Sequence, residues 1–360
     1  AQAILAQASS VQDKDTFQPM QLRGMARSSV RVFAVFALTS NIVECLRLNS
    51  TIEGRRGEDA CIKCPSCLDP QGRCLKASDM VFPVLPECIT YTDRIPQAQN
   101  PLCKRAMYMC PATGVLTSLP VFTSAEMTTL YTRYYNNQKH IESPQSDRPS
   151  SQSADIVSHG GLEGKTGLTI VEIGCASGFL LYNLRRHAAN GGSIICFEVD
   201  PSYFADVEHT FALIRQEIPT ARTRLVKTLF TAGIVDPESV DVFSSSHVLE
   251  HISNPCPWLT EVKKILKPGG IVFTEIPIQY YNFKADSPLV ADFLSPDPKR
   301  RKAYAGQFHV TLFGRLNVPD VHGQHPSVTS PFKNMMMLGG FHELWTAPST
   351  EPNRYIFRKP

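Results

Sequence analysis

The chain carries almost no excess of charge. Its 36 lysines and arginines against 33 acids leave a formal +3 over 360 residues. That is too little for a surface dedicated to a polyanion and argues against a nucleic-acid partner. No run of about 20 apolar residues is present, so no segment has the length of a membrane-spanning helix. The nearest approach is MARSSVRVFAVFALTSNIVECL, where Arg27 and Arg31 precede the apolar run Val32 to Leu38. That order is similar to the charged and apolar regions of a signal peptide, but it lies inside the chain, and Asn49-Ser50-Thr51 follows as a glycosylation sequon. A short buried strand or helix is the preferred reading, with a cytoplasmic chain and no membrane partner. The alternative is that residues 25–45 act as a signal anchor on a secretory or organellar route. Internal repeats are also lacking, which excludes a solenoid.

Cysteine is scarce in one part and dense in another. Of 11 cysteines, eight lie between Cys45 and Cys110, and only Cys175, Cys196 and Cys256 fall beyond. The skew separates a cysteine-organised module from a remainder held by its core. CIKCPSC places Cys61, Cys64 and Cys67 two residues apart, and MCPATG repeats the outline of a zinc knuckle with Thr113 where a second cysteine would stand. Tetrahedral zinc needs four ligands. Cys64, Cys67 and Cys110 supply three, with Cys61, Cys88 or Cys103 as the fourth, so the expected metal set is Cys61, Cys64, Cys67 and Cys110. The rival is a disulfide framework in an oxidising compartment. Seven cysteines from 61 to 110 are an odd number, so that framework would enlist Cys45 or leave one thiol over. Both readings are structural.

Four regions follow from the composition: an extension over 1–58, the cysteine-rich module over 59–125, a helix and linker over 126–165, and a domain over 166–360. SAEMTTLYTRYYNNQ predicts a helix from Ser124, which serves as its N-cap. The Ser-, Pro- and Gly-rich stretch from His140 to Gly167 reads as a linker. From Leu168, short apolar strands (LTIVEIG, SIICFEV, TRLVKTLF, VDVFSSS, GGIVFTEIP) alternate with helical runs (FLLYNLRRHA, PSYFADVEHTFALIRQ, CPWLTEVKKILKPGG). FHELWTAP and NRYIFRK close the chain as a hairpin. Strands and helices alternating at this spacing predict an α/β fold whose parallel sheet is covered on both faces.

The first strand leads into VEIGCASGFL, two glycines four apart at the mouth of a helix. A full dinucleotide loop, G-x-G-x-x-G, is missing, because its three positions fall on Gly174, Ala176 and Phe179. Gly174 and Gly178 still allow a tight turn and close approach of a ligand, beyond the carboxyl ends of the strands. The helix N-terminus behind them favours an anionic group. Twenty residues after Gly178, Glu198 ends the second strand, where a carboxylate can accept both hydroxyls of a ribose. The pattern suits a nucleoside whose anionic end is a small carboxylate.

VEIGCASG, FEVD, VDVFSSSHVLEHISNP and LKPGGIVFTEIP together resemble the class I S-adenosylmethionine-dependent methyltransferases over about residues 168–360. VLEH followed by LKPGG, in this order after a glycine loop, is the most specific part. The resemblance implies a Rossmann-like, doubly wound, mostly parallel seven-stranded sheet with its last strand antiparallel, and S-adenosylmethionine as cofactor. It places Glu172, Gly174, Cys175, Ala176 and Gly178 in the cofactor loop, Glu198 at the ribose, and His247 to His251 where cofactor and substrate meet. One position departs: KTLFTAG holds no acid to bind the adenine amine, and Asp236 comes late. Candidate bases are His251, Glu275, His309 and His325, with His325 ahead of His309 because HPSVTSPFKNMMMLGGF is similar to the family's substrate-side segment. A histidine, with an unperturbed pKa near 6.5, suits that task.

Some acceptors are argued down. The Asn/Asp-Pro-Pro-aromatic run of enzymes that methylate exocyclic adenine amines or amide nitrogens is replaced by SSSHVLEH, and Pro255-Cys256 lies too far on to be a cysteine nucleophile. The run Lys299 to Lys302 reads as a solvated loop. The cysteine module followed by S-x-E-x-x-x-x-Y resembles, more weakly, arrangements in sugar and small-molecule methyltransferases. The expected function is methyl transfer to O, N or C of a small-molecule or sugar acceptor. The alternatives are a non-catalytic methyltransferase-fold subunit with a protein assembly partner, and an RNA methyltransferase.

Overall fold

A computed structural model describes residues 61–76, 79–82, 101–129, 146–277, 280–281, 311–312, 315–318, 327–348 and 353–360. The signal-like segment, the sequon, Cys45, Cys88, Lys299 to Lys302, His309 and His325 lie outside them. Seven strands form the main sheet: β1 (Thr169–Ile173), β2 (Ser193–Phe197), β3 (Arg222–Val226), β4 (Val240–Ser246), β5 (Leu266–Ile276), β6 (His342–Thr346) and β7 (Asn353–Arg358). Their order is β6-β7-β5-β4-β1-β2-β3. Pairs among β1 to β5 are parallel, whereas β7 runs antiparallel to both β5 and β6. The C-terminal hairpin therefore inserts its last strand beside β5 and leaves β6 at the edge. This is the mostly parallel sheet with an antiparallel last strand.

Period-two alternation decides what each face buries. Ile170, Ile194, Val242, Ile271, Phe273 and Ile356 enter one core, and their neighbours Val171, Phe243, Val272, Tyr355 and Phe357 enter another. With both faces apolar, the sheet needs cover on both sides. The first face is covered by α1 (Asp147–Gly160), α2 (Phe179–Leu184) and α3 (Phe204–Glu217); the second by α4 (Pro255–Ile265) and α5 (Pro331–Leu338). α4 starts where Asn254 Oδ1 accepts from Cys256 N and Pro255 occupies the first turn. α5 starts the same way at Ser330 and Pro331.

Three elements differ from expectation. The stretch read as a linker contains the 14-residue helix α1. Its buried residues Pro149, Gln152, Ile156 and Gly160 make one stripe, too polar in composition to be recognised as amphipathic. α4 ends at Ile265 rather than running into Pro268-Gly269-Gly270, and LKPGG opens β5. Proline disfavours helix at the residue before it, and Gly269 N donates to Lys359 O at 2.9 Å, which docks the end of β7. Third, α2 has only six residues before it tightens into a 3-10 turn over Arg185–Ala188.

The cysteine module is a cover on the second core. Its strands Met80–Phe82, Ala106–Met109 and Leu116–Leu119 are completed by Thr311–Leu312 from the C-terminal half, in that order. Cys64, Leu68, Cys110 and Val115 share one apolar cluster with Trp258, Leu259 and Phe332. The zinc expectation is corrected here. Cys61 is bonded to Cys74, Cys64 to Cys110 and Cys67 to Cys256, so none of the four expected ligands keeps a thiolate. Among the described residues no group of three or more His, Cys, Asp or Glu could hold a metal ion. A fourth disulfide joins Cys175 to Cys196. Non-reducing peptide mapping of oxidised protein should recover these four pairs, with no stoichiometric zinc by elemental analysis. A thiolate-bound zinc with free Cys64, Cys67 and Cys110 is the contrary result. Among the described residues no helix is long and apolar enough to cross a membrane.

Candidate active site

A cleft of about 1490 Å³ opens along the carboxyl ends of β1 to β4. Its floor is the turn between β1 and α2. Gly174 (φ 64°), Ala176 (φ 47°) and Gly178 (φ 77°) all lie in the left-handed region. Two of them are glycines, as that region favours; Ala176 holds it at a cost in backbone strain. Gly174 N donates to Phe197 O at 2.8 Å, which ties the turn to β2. A Cβ on Gly174 would stand 2.5 Å from Val248 Cγ2, so this glycine is also what lets the turn after β4 close upon the turn after β1. Cys175 and Cys196 bond across the same two strands.

Glu198 ends this wall. Ala176 N donates to its Oε2 at 3.0 Å, and Val199 N and Asp200 N donate to its Oε1 at 2.8 Å each. Glu198 is 6% exposed, and burial raises its pKa against those three donors. A carboxylate has about four acceptor positions, and three are taken. Val199 and Leu229 stand beside it as exposed apolar side chains at the cleft. The turn after β3 lines the cleft with Lys227, Thr228, Leu229 and Phe230 and no acid, while Asp236 is not part of the lining. The carboxylate on that side of the cleft comes from α4, through Glu261.

Beyond β4 the cleft meets a network of charges. His247 takes φ 53°, and its N donates to Glu275 O at 2.9 Å. Its imidazole lies between two buried carboxylates, Nε2 at 3.2 Å from Glu275 Oε1 and Nδ1 at 3.4 Å from Glu250 Oε1. Glu275 also receives Arg148 Nε at 2.8 Å, Arg354 Nε at 2.5 Å and Gln152 Nε2 at 3.1 Å. Arg148 reaches Ser246 Oγ at 2.8 Å, and Arg354 reaches Asp155 at 2.7 Å. Burial alone would lower the His247 pKa, but Glu250 and Glu275 outweigh it and raise it from 6.5 to about 9. Burial alone would raise Glu275, but His247, Arg148 and Arg354 bring it from 4.5 to about 2.

The structure thus brings Glu172, Gly174, Cys175, Ala176, Glu198, His247 and His251 to one cleft, while Gly178 caps the start of α2 and is not part of the lining. Glu275 lies behind it, with its carboxylate occupied by two arginines, a glutamine and a histidine. A carboxylate so held is a poor base, which corrects its place among the candidate bases. His251 sits in the 3-10 turn Leu249–His251 with Nε2 4.0 Å from Glu250 Oε1. Sequence reasoning missed Arg148 and Gln152, which lie in the supposed linker, and Val121 and Phe122 of the cysteine module with Met127 of the helix Ser124–Thr129 that follows it, all of which line the cleft.

Sheet order, the antiparallel β7 and a cleft over the glycine turn define a Rossmann-like methyltransferase fold. A family model described as a methyltransferase domain matches residues 146–331, just over half of the chain. The chain belongs to that family of methyltransferase domains. Solved structures with a similar arrangement include a SAM-dependent methyltransferase from Aquifex aeolicus, at 13% identity over 59% of this chain and 98% of that chain, with a TM-score of 0.36. Another is the geranyl diphosphate C-methyltransferase from Streptomyces coelicolor A3(2), at 14% identity over 59% of this chain and 76% of that chain, with a TM-score of 0.34. A third is phosphoethanolamine N-methyltransferase 2 from Haemonchus contortus, at 13% identity over 61% of this chain and 42% of that chain, with a TM-score of 0.36. No curated protein sequence matches the chain.

Proposed function

We propose that the chain transfers the methyl group of S-adenosylmethionine to O, N or C of a small-molecule or sugar acceptor held between the glycine turn and the cysteine module. The observation that carries this reading is the tie between Glu198 and Ala176, which joins the acid at the end of β2 to the bare turn after β1. Beside it, Val199 and Leu229 offer apolar surface for a flat ring, and Glu198 keeps about one acceptor position for a ribose hydroxyl. Gly174, Cys175, Ala176 and Gly178 form the backbone cradle, with Glu172 beneath it and His247 at its far edge.

Bound S-adenosylmethionine supplies an electrophilic methyl group on a sulfonium. The chain's own task is alignment, because in-line displacement depends on the approach of the acceptor atom. Where that atom is a hydroxyl or amine, His251 takes its proton. His247 cannot, since two carboxylates keep it protonated at neutral pH.

Glu198→Ala removes a charge-assisted site, which is worth about 1.5–3 kcal/mol, or about 10- to 150-fold in affinity. Calorimetry with S-adenosylhomocysteine should show that loss, together with a lower melting temperature because three backbone donors lose their acceptor. A folded variant with unchanged affinity would remove Glu198 from the cofactor site.

A further inference from the structure

Two shielded polar atoms at the cleft stand without partners. Trp258 is 5% exposed, and its Nε1–H meets no acceptor among the described residues. Glu261 Oε2 is closed off from solvent and likewise receives no donor. Both residues line the cleft. A buried donor or acceptor left unmet is costly, so each such atom needs an explanation, and here a ligand supplies it.

Trp258 and Glu261 are three positions apart on α4 and therefore share one face of the helix. The connection from β3 to β4 holds a 3-10 turn, Ala232–Ile234, and no α-helix. α4 packs against that turn, and Thr231 and Gly233 line the cleft beside it. With no helix between them, the Trp258 face of α4 becomes the cleft wall next to the turn after β3. Phe230 of that turn joins the two sides. Its ring lies 5.2 Å from Phe197 of β2 and 5.3 Å from Phe243 of β4, and Trp258 meets Phe243 at 6.0 Å.

We propose that Trp258 and Glu261 read the base of the bound nucleoside, the indole N–H donating to a ring nitrogen of adenine and the Glu261 carboxylate accepting from the neighbouring 6-amino group. This rests on the methyltransferase reading and deepens it: α4 supplies the acid that the turn after β3 lacks. The recognition is directional. An indole N–H only donates and a carboxylate only accepts. Adenine offers the matching edge, an acceptor ring nitrogen beside an amine donor. Hypoxanthine carries an oxygen where that amine stands, so Glu261 would face a second acceptor. Val199 and Leu229 supply the apolar surface for the flat ring. Both α4 residues are specificity residues and take no part in methyl transfer.

The test is calorimetry on the full chain with S-adenosylhomocysteine and with S-inosylhomocysteine, which differs from it only in the base. The inosine form should bind about 10- to 150-fold more weakly. Glu261→Gln should weaken S-adenosylhomocysteine about fivefold and bring the two ligands within about threefold, because a carboxamide both accepts and donates. Trp258→Phe keeps a ring against Phe243 and should lose about 3- to 10-fold in S-adenosylhomocysteine affinity. The two tryptophans also give two indole N–H resonances. The Trp258 signal, assigned as the one that survives in Trp345→Phe, should move downfield when S-adenosylhomocysteine binds. Equal affinity for the two ligands, undiminished discrimination in Glu261→Gln, or an unmoved Trp258 resonance overturns the proposal while leaving cofactor binding intact. If Glu261→Gln does not fold, the ligand comparison and the resonance decide on the unaltered side chains. Failure of the unaltered protein to bind S-adenosylhomocysteine removes the methyltransferase reading, and this proposal with it.

Discussion

Gly174→Val should abolish S-adenosylhomocysteine binding and cost about 2–6 kcal/mol of stability, the sum of two effects that act at one atom. A β-branched residue at φ 64° is strained by about 1–3 kcal/mol, since the left-handed region suits glycine. Its Cβ would also press on Val248 Cγ2 at 2.5 Å, and overpacking of this kind costs about 1–3 kcal/mol. Relief must come from separating the turns after β1 and β4, which together carry the cradle and His247. Gly269→Ala is the control. It has φ 78° but nothing within 4 Å of an added Cβ, so it should lose only about 1 kcal/mol and no affinity. Pairing Gly174→Ala with Val248→Ala should recover part of the stability, because the double change removes the clash and leaves only the backbone strain. Normal cofactor binding by Gly174→Val at an unchanged melting temperature would reduce the stretch to a tight turn.

What was legible in the sequence had a short period. Strand alternation in VEI, SIICF and VDVFSSS, the helical run opening near Cys256 and the glycine pair are decided by neighbours within a few residues. Pairings between distant residues were not legible. Cys67 meets Cys256 across 189 positions, and C-x-x-C spacing suits zinc and disulfides alike. The residues around Glu275 come from positions 148, 152, 247 and 354. Each is an ordinary surface residue type in its own segment. α1 was missed for the same reason: its inward face carries Gln152 toward a buried ion pair, so a polar residue stands where an amphipathic pattern requires an apolar one. Glu198 stands directly after β2, where the sequence puts it, yet its three backbone donors, which limit how many further donors it can accept, appear only in three dimensions.

Glu275→Ala should be the most damaging change outside the cradle. A buried ion pair adds little net stability when complete, but removing one partner strands the other, at about 3–5 kcal/mol. Here the stranded groups are Arg354, His247 and the inner edge of Arg148. Asp155 still accepts from Arg354 Nη1 at 2.7 Å, and Arg148 is half-exposed, so the loss should fall near about 3 kcal/mol. Glu275→Gln keeps the shape and should lose less. The network also sets a pH signature. His247 has its pKa raised from 6.5 to about 9, so its contribution is complete below 6.5 and is lost as pH rises through about 9. Glu275 is lowered from 4.5 to about 2, so its contribution is complete above 4.5 and is lost as pH falls toward about 2. Both act fully only between pH 4.5 and 6.5, and denaturant midpoints should decline on the alkaline side before pH 9. In Glu275→Gln one of the two carboxylates that hold the His247 proton is gone, with Glu250 remaining and Arg148 now less neutralised. The imidazole should therefore titrate at a lower pH by NMR, and the alkaline decline should flatten. An unshifted His247 titration in a folded Glu275→Gln would mean that Glu250 alone holds the proton.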